Sequence, residues 1–291
     1  MFRKMVGWEL EFGIHEKYAD EKIIRNFLDA SPDWLDIDLF SESFTLPDSF
    51  ESVEIQSKPM PYHASLKKLR HVLKRIRQID AIVTTEETGV HVGISYSSNP
   101  NIAVSLSSLD IMALFDEMKW LKEFNRDDNP TCAPHLYELK DDSTKHDSSC
   151  TYKKIRRRRS KLNSIQDIKD KIEIVATKYT SVNFGKVFDT FKEFYTVPPH
   201  WLSDTSEEEL KIERDAFERD TGYQPIPYWE IRCAGGEGYE YKFKQISEMI
   251  KDFSDSIDSV RMNDKQKINR RLRKIFKLNG KGRWESPTVP F

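Results

Sequence analysis

The stretch GWELEFGI, residues 7–14, alternates without a break. Trp8, Leu10 and Phe12 fall on one face of an extended chain. Gly7, Glu9, Glu11 and Gly13 fall on the other, because successive side chains of a strand point to opposite sides. The same period returns in FESVEIQS (50–57), where Val53 and Ile55 oppose Glu54 and Gln56. In TGVHVGIS (88–95), Val90, Val92 and Ile94 oppose Gly89, His91, Gly93 and Ser95. In YWEIRCA (228–234), Trp229, Ile231 and Cys233 oppose Glu230 and Arg232, and KYTSVNF (178–184) also has strand character. Helical periods separate these strands at 19–30, 63–79, 106–124 and 206–220. Residues 240–277 read as one or two further helices, and Leu66, Leu69, Val72, Leu73, Ile76 and Ile79 form a single stripe on the second of the helices. Residues 125–163 are polar and irregular, and read as a loop insertion. Strands and helices mixed in this way predict an α+β fold whose sheet has one packed face and one face open to a cleft. The 291 residues are ample for a sizeable core and read as one domain.

The open face carries the chemistry. Glu9, Glu11, Glu54, His91, Glu230 and Arg232 all project from it. Carboxylates packed closely repel, and one is protonated unless cations sit between them. Hard divalent ions take carboxylate oxygens, and Mg²⁺ keeps waters and binds substrate phosphates as well. An arginine beside them can grip a phosphoryl group through two parallel bonds. Taken one strand at a time, a solvated glutamate or a surface Glu-x-Arg pair is the simpler reading. The joint occurrence argues for a site, as do the glycines flanking Glu9, Glu11 and His91, since glycine in a strand often marks close approach of a ligand or backbone.

The motifs occur in a recognisable order. Gly7-x-Glu9-x-Glu11-Phe12 comes first, then Glu54 followed by Ser57 and Pro59. Gly89-x-His91-Val92 follows, then Lys178-Tyr179 with Val182-Asn183, then Glu230-x-Arg232 before a glycine pair. From residue 6 to about 238 the chain resembles the amidoligase family, related to glutamine synthetase and the carboxylate-amine ligases. The resemblance implies a single glutamine synthetase-like catalytic domain over 1–291: a curved, mostly antiparallel sheet whose concave face holds ATP and Mg²⁺, or Mn²⁺ in its place. It implies that ATP phosphorylates a carboxylate and that an amine then displaces phosphate to leave an amide. Glu9, Glu11, Glu54, His91 and Glu230 would be metal ligands. His91, Asn183 and Arg232 would contact the nucleotide, and Arg232 and Lys178 would act on the transferring phosphoryl group. A loop over 125–163 would cover the acyl phosphate. The chain departs from the family pattern at Gly93, where a second histidine is common, and at Lys178, where an arginine is usual. Strict alternation also sets Lys178 opposite Asn183.

Cys132-x2-His135 and His146-x3-Cys150 have the spacing for a structural Zn²⁺ site, but the order of the pairs is unusual and a polar loop with scattered Cys and His is the simpler reading. YKKIRRRRSK (152–161) holds seven basic residues and reads as a solvated loop ahead of a phosphate clamp. Gly280-Lys281-Gly282-Arg283 reads as a flexible tail. A net charge of -2 gives no support for a nucleic-acid or membrane partner. Three cysteines, no signal-like leader and no apolar run of spanning length predict a cytoplasmic protein. Competing functions are a metal-dependent nuclease or phosphohydrolase, and a non-catalytic binding scaffold. The expected partners are a small-molecule or peptide carboxylate and an amine.

Overall fold

A computed structural model of the protein describes residues 3–39, 45–96, 102–127, 129, 132–136, 164–166, 169, 180–184, 187 and 227–276. The first strand, β1 (Lys4–His15), is followed by α1 (Glu21–Leu28), β2 (Leu35–Leu39), β3 (Phe50–Ser57) and β4 (Met60–Pro61). Then come α2 (Tyr62–Ile76), β5 (Ile82–Val83), β6 (Gly89–Tyr96) and the helices α3 (Ile102–Ser105), α4 (Ser108–Leu114) and α5 (Glu117–Glu123). The later elements are β7 (Val182–Asn183), β8 (Trp229–Gly235), α6 (Phe243–Arg261) and α7 (Lys265–Ile275). The strands form one open, curved, antiparallel sheet in the order β2-β3-β1-β6-β8-β7, with the short β4 and β5 pairing the two ends of β1.

β1 organises the sheet. Val6, Trp8, Leu10, Phe12 and Ile14 are buried, as the alternation predicts, and meet Val53, Ile55, Val90, Val92, Ile94 and Ile231 in one core. Each such side chain contributes about 1.5–3 kcal/mol on leaving water. The helices cover this face. α2 packs on β1 through Leu69, Val72, Leu73 and Ile76. α6 buries Ile246, Met249, Ile250, Phe253 and Ile257 at helical spacing, and both it and α7 pack on α4. Among the described residues, no helix is long and apolar enough to cross a membrane.

Three differences from the sequence reading stand out. The helix expected over 106–124 is broken, because Phe115 is extended and buried against Phe253 at 5.0 Å between ring centroids. Asp116 then caps α5 by accepting from the Lys119 amide. LDIDL, outside the strands that the sequence predicts, is the edge strand β2. Of the strand expected over 178–184, residues 180–184 are described and Val182–Asn183 form a strand; Lys178 and Tyr179 lie outside the described residues. So do the expected helix 206–220, the basic run 152–161 and Gly280–Arg283, together with most of the loop 125–163.

Candidate functional site

Register decides which polar side chains meet. Glu9 of β1 stands opposite Gln56 of β3 on one side and His91 of β6 on the other. Glu11 stands opposite Glu54, and Glu54 opposite Asp38 of β2. Across β6, Gly93 pairs Glu230 of β8, and Glu230 also pairs Asn183 of β7. Between Val90 and Val92 the β6–β8 pairing slips by one residue: Val92 pairs Ile231 but Val90 pairs Ala234. Arg232 and Cys233 thus share the place opposite His91. Bulges of this kind re-aim side chains and are frequent beside sites.

The side chains converge accordingly. Donor atoms of Glu9, His91 and Glu230 all lie within 4.8 Å of one another. His91 Nδ1 is 3.2 Å from Glu9 Oε2, and His91 Nε2 is 4.0 Å from Glu11 Oε1. Glu11 is nearly buried, and its Oε2 accepts from the Gly89 amide at 2.6 Å. Glu230, 3% exposed, accepts from Asn183 Nδ2 at 2.9 Å and from the Arg232 guanidinium at 3.3 Å. The Nε of Arg232 is buried with no hydrogen-bond partner among the described residues.

Burial, then the Arg232 charge, push the His91 imidazole down to about 4, so its ring is neutral at ordinary pH and keeps a lone pair for a cation. Glu54 has its carboxyl raised, first by burial and then by the charge of Glu9, although Gln56 donates to its Oε1 at 2.6 Å. Two carboxylates and one neutral imidazole within reach of a common point fit a hard divalent cation with water completing its shell. Of the five expected ligands, three are thus gathered. Glu11 adjoins them with one oxygen committed to a backbone amide. Glu54 sits across β1 beside β2.

The glycines of this face are close approaches. A Cβ on Gly89 would stand 2.7 Å from both Glu11 Oε2 and His91 Nε2. Gly89→Ala is therefore expected to displace both groups. We expect a stability loss of about 1–3 kcal/mol, read by thermal melting. Gly93 lies under the Tyr228 ring, whose Cδ2 would be 3.0 Å from an added Cβ. The place where the resemblance expects a second histidine is covered by a phenol.

Several residues at or behind the site were missed. Asp36 and Asp38 extend the acidic face along β2, and the strict alternation of LDIDL was the signal that could have found them. Glu117 is fully buried, and accepts from the His135 amide at 2.8 Å, the Leu136 amide at 2.7 Å and Ser181 Oγ at 2.6 Å. His135 Nε2 in turn lies 2.8 Å from the Val182 carbonyl. These bonds tie β7, and with it Asn183, to α5 and the 132–136 segment, while β7 pairs β8 through its backbone. Nothing in the local sequence marks Glu117 as buried.

The zinc reading gains no support here. Cys132 Sγ accepts from Arg126 Nε at 3.3 Å and His135 Nε2 faces a carbonyl, while His146 and Cys150 lie outside the described residues. Burial lowers the proton affinity of His135, with Glu117 and the Val182 carbonyl opposing that shift. The folded state thus refuses a proton that the unfolded chain accepts near pH 6.5. Stability is present above that pH and lost as pH falls below it. Urea midpoints measured with a chelator present are expected to drop on acidification below about pH 6.5, and His135→Gln is expected to remove part of that drop, the rest belonging to the buried His91.

Residues 14–191 match the model of a protein family described as "Putative amidoligase enzyme". Glu54, His91 and Asn183 lie inside the matched residues, and Glu9, Glu11, Glu230 and Arg232 lie outside them. No curated protein matches the chain. Since the match spans more than half of the 291 residues, the chain belongs to the amidoligase family.

Proposed function

We propose that the chain is an ATP-dependent carboxylate-amine ligase of glutamine synthetase-like fold, acting on the polar face of its sheet through an acyl phosphate. The observation that carries this reading is the convergence of Glu9, His91 and Glu230 within 4.8 Å, with Arg232 at 3.3 Å from Glu230. Family membership supports a ligase over a nuclease. Glu9, His91 and Glu230 would hold Mg²⁺ or Mn²⁺, with Glu11 beside them. The bound metal would neutralise triphosphate oxygens as the phosphoryl group leaves ADP.

The remaining work falls to the chain itself. Glu230 holds the Arg232 guanidinium, whose Nε, buried and without a partner among the described residues, would donate to a phosphoryl oxygen. Asn183 fixes the Glu230 carboxylate from the other side. The substrate carboxylate takes the γ-phosphoryl group. The amine nitrogen then attacks the acyl carbon and loses a proton, and phosphate departs with the C–O electron pair. Amide, ADP and phosphate result.

Titration of a non-hydrolysable ATP analogue into the protein, with and without Mg²⁺ and beside Glu9→Ala, tests the reading. Metal-dependent binding lost in the variant supports it, and ADP release then screens carboxylates and amines. Absence of binding, or cleavage of nucleic acid without ATP, would overturn it. Arg232→Lys is expected to slow turnover nearly as much as Arg232→Ala, because an ammonium cannot make the two-pronged contact. Steady-state ADP release by the two variants checks this.

A further inference from the structure

On the helical side of the sheet, away from Glu9 and His91, α2 and the chain following β8 enclose a cleft of about 350 Å³. That volume lies in the range of small-molecule sites. Arg70, Lys74 and Arg77 line one wall, and Glu240, Tyr241 and Phe243 the other. The spacing of four and then three residues puts the three cations on one face of α2. All three are exposed, and none has a carboxylate partner among the described residues. Among the described residues one carboxylate lines the cleft, Glu240, and it accepts a hydrogen bond from Thr84 Oγ1 at 2.9 Å. The cleft therefore carries excess positive charge.

The cations are held rather than neutralised. The Arg70 guanidinium lies 5.8 Å from the Phe243 ring centroid, and that of Arg77 lies 5.7 Å from the Tyr241 centroid. A ring face orients a cation but leaves its charge and its donors for an anion. Tyr241 is 65% exposed, among the most exposed large hydrophobic side chains described. Its wall is anchored: the Gly238 amide donates to Thr84 Oγ1 at 2.9 Å, and Gly238 takes the left-handed φ of 73° that the turn requires. Guanidinium forks match phosphate oxygens. Seven residues of helix separate Arg70 from Arg77 by about 10 Å, more than one phosphate spans.

We propose that this cleft is a second, metal-independent site for a small ligand bearing two or more linked phosphates. The proposal does not depend on the ligase reading. Its test is calorimetric titration of inorganic tripolyphosphate into the full chain with EDTA present, using wild type, Glu9→Ala, R70A/K74A/R77A and the single variant Arg77→Glu. Wild type and Glu9→Ala are expected to bind equally, and more weakly as salt rises. Both cleft variants should bind at least about tenfold more weakly, with unchanged melting because the replaced side chains are exposed. No binding to wild type would overturn the proposal, as would binding kept in both cleft variants or lost in Glu9→Ala. Equal displacement by tetraglutamate would also overturn it, by assigning the cleft to carboxylate polyanions. ADP in place of tripolyphosphate distinguishes the source of the phosphates. Tighter ADP binding that is lost in Tyr241→Ala indicates a nucleotide, and otherwise the phosphate chain alone is recognised.

Discussion

Glu9→Ala is expected to lower amide formation about 10²- to 10³-fold, the usual cost of removing one group that stabilises charge in a transition state. Metal-dependent nucleotide binding should fall with it. The fold should survive. Glu9 is partly exposed and sits among carboxylates, so its removal relieves repulsion with Glu54 while forfeiting its contact with His91. These effects oppose each other, and the net change in stability should stay within about 1 kcal/mol. A second readout follows. The Glu9 charge helps to raise the Glu54 carboxyl, so Glu54 in the variant should titrate closer to an ordinary glutamate. ADP release, thermal melting and carboxylate titration by NMR measure the three effects. An active Glu9→Ala protein would remove this residue from the machinery.

Glu117→Ala carries the largest expected cost to stability. The carboxylate is fully buried and satisfies two backbone amides and one hydroxyl at 2.6–2.8 Å. Each donor left without its acceptor costs about 1–3 kcal/mol, and the cavity adds to this. A total loss of at least about 3 kcal/mol is expected in urea unfolding. Because Ser181 and His135 hold β7 beside Glu230, folded Glu117→Ala protein should also show weaker nucleotide binding. Glu117→Gln keeps the shape and some acceptor capacity, and should recover part of both losses. A variant as stable as wild type would show that water can replace the carboxylate.

The polar face was legible in advance wherever alternation was long. Glu9, Glu11, Glu54, His91, Glu230 and Arg232 were assigned to one face from period alone. Neighbouring side chains on a strand must point to opposite sides, so their assignment is a local property of the chain. The same rule applied to LDIDL would have added Asp36 and Asp38. α2 was legible from its stripe for the same reason.

Other features had no local sign. Strand order set Glu9 between Gln56 and His91, and left Glu54 on the far side of β1 from the gathered donors. The slipped pairing opposite His91 altered the alternation of β8. Glu117 falls within the helical period 106–124 with no local mark of burial, yet its carboxylate is fully buried and holds Ser181 just before β7. The alternation within each strand determined which side its carboxylates face, because a covalent chain carries that information from one residue to the next. Which carboxylates converge was decided only by tertiary structure, because register between distant strands depends on how their apolar faces pack together.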